Sequence, residues 1–252
     1  MDFKAAFSFI PYAILGVLPS LIWLVFYLQK DRRPEPKAMI LKVFFWGMMM
    51  GPLALIFQLT MRWLCDPTAE WSIFFASLGR NDYLFLLNVL AFAPITEEFV
   101  KYLVVRQTVL KDPAFDEPVD TMIYMIVSAL GFAAIENIVN LIPNGQMTLE
   151  TASYQMIARF LSATFLHTLS SAVLGYFLAI SMLDFKKRKV IFITGFALAA
   201  AMHSFYNYLI LLFDKADFMP KAIAVFLLFM ATIVFWQFKR LKRLMAVCRL
   251  PY

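Results

Sequence analysis

Seven apolar runs divide this chain, near residues 5 to 28, 39 to 61, 83 to 109, 121 to 142, 153 to 183, 190 to 213 and 219 to 238. Each reaches the roughly 20 residues that a helix needs to cross the hydrocarbon core. In lipid every backbone polar group must be satisfied internally, and repeated crossings of this length are made by helices. The sequence therefore predicts an all-α fold, a polytopic membrane bundle of about seven transmembrane helices. Composition agrees: 62% of residues are hydrophobic, mean hydropathy is +0.73, and only 16% are charged, against about a quarter in soluble domains. A water-soluble globule is excluded. The net charge of +6 does not point to nucleic acid, because the basic residues sit between the apolar runs.

Their distribution orients the bundle. With the N-terminus outside, the inner segments and span ends collect Lys30, Arg32, Arg33, Lys37, Lys42, Arg106, Lys111, the Lys186 to Lys189 cluster, Lys239, Arg240, Lys242, Arg243 and Arg249. The outer ones hold only Lys4, Arg62, Arg80, Lys215 and Lys221. The positive-inside rule then predicts a cytoplasmic C-terminus. Cys65 and Cys248 fall on opposite sides, so no disulfide is expected. The first run is too long for a signal-peptide core and lacks a small-residue cleavage site, so it reads as an uncleaved helix. No linker, low-complexity tract or repeat divides the chain, and one membrane domain over 1–252 is expected. Trp71, Phe74 and Phe75 in the outer segment 66 to 82 suit an aromatic anchor or an interfacial helix.

Ionisable residues inside spans cost several kcal/mol each at the bilayer centre and are functional candidates by default. The third run carries Glu97, Glu98 and Lys101, the fourth Glu136 with Asn137 and Asn140, the fifth Arg159 and His167, and the sixth His203 with Asn207. The two histidines are the only ones in the protein. At 1.5 Å per residue these groups lie at comparable depth on four helices. Residues three and four apart share a face, so both Glu97 and Glu98 can reach Lys101, His203 lies with Asn207, His167 with Thr164 and Ser171, and Glu136 with Asn140. A purely structural role is available to Glu98, Lys101 and Arg159, as interhelical glue.

Two adjacent carboxylates in a low-dielectric site cannot both ionise easily, which suits one of them to take a proton from water. A histidine can relay that proton, and a second His with an Asn can support an oxyanion. Hydrolysis of a peptide bond needs these three functions. Ser170, Ser171 and Ser204 lack a nucleophile motif. Two His and up to three Glu (Glu97, Glu98, Glu136, His167 and His203) could instead hold Zn²⁺ with an open position for water, although the helical HExxH signature is absent. A transporter, or a scaffold or immunity factor without turnover, would also place such groups at mid-membrane, but no duplicated half or matched pair of broken helices accompanies them.

Four blocks carry a resemblance: Pro94-Ile-Thr-Glu-Glu-Phe-Val-Lys101; Phe115-Asp-Glu-Pro-Val-Asp120 running on to Gly131-Phe-Ala-Ala-Ile-Glu-Asn137; Arg159 followed by His167 and Gly175; and His203 followed by Asn207. Their order and spacing over about 94 to 207 resemble the PrsW-like intramembrane proteases, distant relatives of the type II CAAX prenyl endopeptidases. The resemblance implies a glutamate-dependent protease cutting a membrane-embedded or membrane-adjacent protein, a single-pass anti-sigma factor in well-studied relatives. It implies a motif-bearing core over about 83–213 and a bacterial membrane location. By carry-over, Glu97 is the general base, His167 its partner, and His203 with Asn207 the oxyanion donors, with Glu98 and Glu136 completing the site. No cofactor is required on this scheme, though family members have also been classed as metalloproteases, and zinc suits the same residues. Thr121 stands where relatives often have Gly, which bears on local packing.

The remaining features read simply. Met48, Met49, Met50 and the 27 phenylalanines are lipid-facing or packing residues, and Trp63, Trp71 and Trp236 fit interfacial belts. The basic clusters report topology and contact with anionic lipid rather than nucleic acid. Cys248 is an idle thiol or a palmitoylation site. Asp120 shares a face with Tyr124 and is expected as a solvated helix N-cap.

Overall fold

The structure, a computed structural model, describes residues 3–29, 34–65, 83–113, 115–141 and 147–247. The aromatic segment 66 to 82, the basic residues Lys30, Arg32, Arg33 and Arg249, and Cys248 lie outside them. The described residues form helices and no strand. In chain order they are α1 (Phe3–Leu28), α2 (Lys37–Cys65), α3 (Tyr83–Thr108), α4 (Asp120–Asn140), α5 (Leu149–Leu161), α6 (Ala163–Leu183), α7 (Arg188–Leu211) and α8 (Met219–Val247). Taking α5 and α6 together as one 35-residue stretch, seven helices are long and apolar enough to cross a membrane, at the positions the apolar runs predict. Asp120 differs from expectation. It lies inside the first turn of α4, is 2% exposed, and accepts from the backbone N–H groups of Asp116 and Glu117 at 3.1 and 2.8 Å. Its carboxylate thus closes the preceding turn rather than capping α4: buried away from water, it takes these two backbone donors instead.

Burial divides the bundle into an inner and an outer layer. In the most apolar stretches of α4 and of α5–α6, 78% of residues are buried, against 22–28% in the other five spans. The outer helices spend their apolar side chains on lipid, whereas α4 is enclosed by α1, α2, α3 and α6. Lipid tails are as apolar as leucine, so helices associate in a membrane through close packing of small residues and through hydrogen bonds. Both occur on α4. A methyl group at Gly131 would lie 2.0 Å from the carbonyl oxygen of Phe44 in α2, and one at Gly47 would lie 2.3 Å from that of Ser128. Backbones therefore touch at this crossing. On its other side α4 meets α6 at Gly175, where a methyl group would lie 2.8 Å from the Cα of Met122. Thr121 hydroxyl donates to the Gly175 carbonyl at 2.9 Å, so Thr121 adds an interhelical bond at the closest approach of the two helices.

Two helices are interrupted where the site lies. The stretch α5–α6 breaks at Ser162, whose φ of −125° and ψ of −86° end one helix and start the next. In α3 a π-helical turn occupies Asn88–Phe92, directly before Ala93 and Pro94. Pro94 has no N–H, so the carbonyls four and five residues earlier, Leu90 and Val89, lose the donors that α- or π-type bonding would supply. Helix α7 provides replacements: Ser204 hydroxyl donates to the Leu90 carbonyl, and the Asn207 amide donates to that of Val89 at 2.9 Å.

Candidate active site

Four helices bring the sequence-selected ionisable residues together. α3 supplies Glu97, Glu98 and Lys101, α4 supplies Glu136, α6 His167 and α7 His203, and the two imidazole rings lie edge to face with centroids 5.0 Å apart. Consecutive residues on a helix point about 100° apart, and this separates the paired glutamates. Glu98 turns into the protein interior and is fully enclosed, as is Lys101. One of its oxygens accepts from Lys101 Nζ at 2.8 Å, Ser170 Oγ at 2.9 Å and His203 Nδ1 at 3.1 Å; the other accepts from Ser171 Oγ at 2.8 Å. Four donors surround one buried carboxylate, the arrangement that makes a buried charge tolerable. Lys101 forms no bond to Glu97: its remaining contacts are His167 Nδ1 at 2.8 Å and the Phe132 ring at 4.7 Å.

Glu97 turns toward the histidines. Its Oε1 accepts only a long bond from the Gln58 amide at 3.4 Å, and Gln58 in turn accepts from Asn88 at 3.5 Å. Its Oε2 is buried without a hydrogen-bond partner. It lies 3.7 Å from His203 Nε2 and 4.0 Å from His167 Nδ1. A buried carboxylate oxygen without a partner is costly, and here it sits at the point where both imidazoles converge.

Each histidine is held from behind by a carboxylate. His167 Nε2 lies 2.6 Å from Glu136 Oε2, and His203 Nδ1 lies 3.1 Å from Glu98 Oε1. An ionised carboxylate only accepts, so it fixes the proton on the nitrogen facing it and leaves the other nitrogen with its lone pair. The His203 Nε2 lone pair then faces Glu97 Oε2, whereas that of His167 Nδ1 accepts from Lys101 Nζ at 2.8 Å. Glu136 is steadied in its turn by Arg159, which donates to Glu136 Oε1 at 2.7 Å and to Asn137 Oδ1 at 2.6 Å; Asn137 donates to Thr164 at 3.1 Å. The break at Ser162 places Arg159, the last basic residue of α5, against α4.

Asn207 stands apart from this group, since its amide secures the Val89 carbonyl. Asn140 bonds only the backbone of its own helix, at the Glu136 carbonyl. Several participants carry weaker signals in the sequence. Gln58 is a lone amide in the second apolar run, and Ser170 and Ser171 act as ligands of Glu98. Asn137 had a signal in its place beside Glu136.

The ligand atoms of Glu97, His167 and His203 lie within 4.8 Å of one another. Metal-binding histidines commonly donate their far nitrogen to a carboxylate, which fixes the tautomer, and both histidines here have that support. The unpartnered Glu97 oxygen and the His203 lone pair therefore fit a Zn²⁺ ion with an open position, and His167 Nδ1 would join them on giving up its bond to Lys101 Nζ. Glu98 and Glu136 stand behind the histidines rather than among these converging atoms.

An enclosed Glu/His/His centre at the crossing of four membrane helices is suited to activate water, the class of site an intramembrane hydrolase needs, and among the described residues no side chain beside it is arranged as a nucleophile. Residues 35–237 match the PrsW family of intramembrane metalloproteases, and the chain belongs to that family. It is 32% identical over 197 residues to Protease PrsW of Geobacillus kaustophilus (strain HTA426), covering 78% of each chain. With Protease PrsW of Clostridioides difficile (strain 630) it shares 23% identity over 229 residues, 89% of this chain and 86% of that one. With that of Bacillus subtilis (strain 168) it shares 25% over 197 residues, 77% and 80%. No solved structure matches the chain. The protein is thus an intramembrane protease and an integral multi-pass membrane protein.

Proposed function

We propose that the chain hydrolyses a peptide bond in a membrane-embedded protein, such as a single-pass anti-sigma factor, using water activated at Glu97. The observation that carries this reading is the unpartnered Glu97 Oε2 facing the lone pair of His203 Nε2 beside His167. Water bound there donates one hydrogen to His203 Nε2 and gives the other as a proton to Glu97 Oε2 while its oxygen attacks the scissile carbonyl carbon. The C–N bond then breaks while Glu97 returns the proton to the leaving amine nitrogen. Glu136 and Glu98 hold the histidine tautomers, Arg159 and Lys101 balance those carboxylates, and the apolar shell limits bulk water.

The centre is also suited to zinc held by Glu97, His167 and His203. When bound, Zn²⁺ supplies Lewis-acid polarisation and lowers the pKa of water. Lys101, at 2.8 Å, competes for the His167 position. Because His203 donates Nδ1–H to Glu98, its Nε2 is an acceptor, so oxyanion donation from that atom requires a second proton. On this reading the chain acts as one membrane domain whose C-terminal basic cluster lies on the cytoplasmic side.

The test is cleavage of a panel of single-pass membrane peptides by the detergent-purified full chain, wild type against Glu97→Gln, with metal analysis of the same samples. Loss of cleavage in the variant, with the bundle folded, is expected. Near-stoichiometric zinc, with activity abolished by chelation and restored by zinc, would assign the metal. Cleavage by Glu97→Gln at the wild-type rate would refute the role of Glu97.

A further inference from the structure

An apolar recess lies between α1, α6 and α8, away from the Glu/His centre. Its volume is 690 Å³, and Trp23 of α1 and Phe165 of α6 form its inner wall, with their rings stacked at 4.5 Å and 9° apart in plane. Along α8 the residues facing it recur at three- and four-residue intervals, as one helical face does. Ala231, Val234, Phe235 and Phe238 come first, then Lys239, Lys242 and Arg243. Over about 18 Å the same stripe therefore changes from apolar to cationic. Lys239 and Arg243 are exposed, and among the described residues no carboxylate pairs with either.

We propose that this recess binds one anionic phospholipid, an acyl chain lying against Trp23, Phe165 and Phe235 and the phosphate at Lys239 and Arg243. The recess takes an acyl chain but cannot enclose a substrate helix: a membrane-spanning helix about 10 Å across and 30 Å long occupies roughly 2,400 Å³, several times the recess. The observed volume falls within the roughly 300–1,000 Å³ of small-ligand sites. Charge selects the headgroup: the recess presents two unneutralised cations where its apolar wall ends, and a zwitterionic lipid brings no net charge to meet them. Each basic residue near an anionic headgroup adds about fivefold in affinity, so the pair favours an anionic lipid by about 25-fold.

The test is native mass spectrometry of the detergent-solubilised full chain titrated with palmitoyl-oleoyl phosphatidylglycerol or with the phosphatidylcholine of the same chains. Phosphatidylglycerol is expected to bind about 25-fold more tightly. The double variant Lys239→Gln/Arg243→Gln should bring it to the phosphatidylcholine level, and Ala231→Trp, which fills the recess, should weaken both lipids. Thermal unfolding checks the fold, and Ala231→Leu, a smaller plug, replaces Ala231→Trp if the larger one lowers stability. Equal binding of the two lipids, or an unchanged charge variant, would overturn the proposal. So would displacement of phosphatidylglycerol by millimolar inorganic phosphate, the mark of a bare anion site. A plug that spares lipid binding but reduces cleavage of a membrane peptide would assign the recess to substrate instead.

Discussion

Glu97 and Glu98 are adjacent and chemically identical, yet the same substitution should affect them oppositely. Glu98 accepts four hydrogen bonds and neutralises Lys101, with neither side chain exposed. Glu98→Gln keeps the shape but leaves a buried ammonium without its counter-charge and turns an amide N–H₂ toward other donors. Breaking a buried ion pair from one side costs about 3–5 kcal/mol. At roughly 2–4 °C per kcal/mol for a chain of this size, the unfolding temperature should fall by about 6–20 °C. Glu97 Oε2 has no partner to lose and Oε1 has one long bond, so Glu97→Gln should change stability by less than about 1 kcal/mol. Loss of a positioned general base should nonetheless lower the cleavage rate by at least about 10²–10⁴-fold. Thermal unfolding followed by tryptophan fluorescence in detergent with a chelator, beside peptide cleavage, separates the two. An equally destabilised Glu97→Gln, or a Glu98→Gln as stable as wild type, would refute the division of labour.

Removing the support behind His167 by Glu136→Gln should weaken any zinc bound at the site by about 10–100-fold, measured by competition with a chromogenic chelator; unchanged affinity would detach Glu136 from the centre. Ser204→Ala with Asn207→Ala leaves the Leu90 and Val89 carbonyls short of donors and should cost about 1–3 kcal/mol per group. Cleavage assayed below the lowered unfolding temperature should also decline, because those bonds align Glu97 with His203. Gly131→Ala should destabilise by about 1–3 kcal/mol, because its methyl meets the Phe44 backbone at 2.0 Å. Gly51→Ala, which meets only the movable Ile135 side chain at 2.4 Å, should cost less in the same unfolding assay.

The spans were legible because lipid permits few solutions for twenty consecutive apolar residues, and the seven runs coincide with the seven helices. Membership of the polar cluster was legible for the same reason: a charge in hydrocarbon needs a partner. The distinction between Glu97 and Glu98 was less accessible, because helical spacing lets both reach Lys101 and only the packing of α6 beside α3 surrounds Glu98 with Ser170 and Ser171. Asn207 was readable as a neighbour of His203, but its bond to the Val89 carbonyl depends on a π turn and a proline in another helix. Asp120 looked like a solvated cap because its local signal is that of one; its burial against the preceding turn is a tertiary fact. The recess under α8 needed three helices, and the sequence showed only its basic end.

The enclosure of α4 sets a timetable for the chain's synthesis. Its neighbours α1, α2 and α3 precede it, but α6, which covers its remaining side, ends at Leu183, some 43 residues after Asn140. At about 5–20 residues per second, roughly 2–9 s pass before that helix exists. Arg159 and His167 follow Asn140 by 19 and 27 residues, so Glu136 lacks both at the start of this interval, and the face around Thr121 and Met122 waits in lipid or against the insertion machinery for Gly175. A helix apolar enough to enter the bilayer alone but furnished with a glutamate for later partners is a natural client for whatever holds nascent spans together. Assembly of the Glu/His centre is thus a late event in the life of the nascent chain, because its last contributor, His203, enters only with α7.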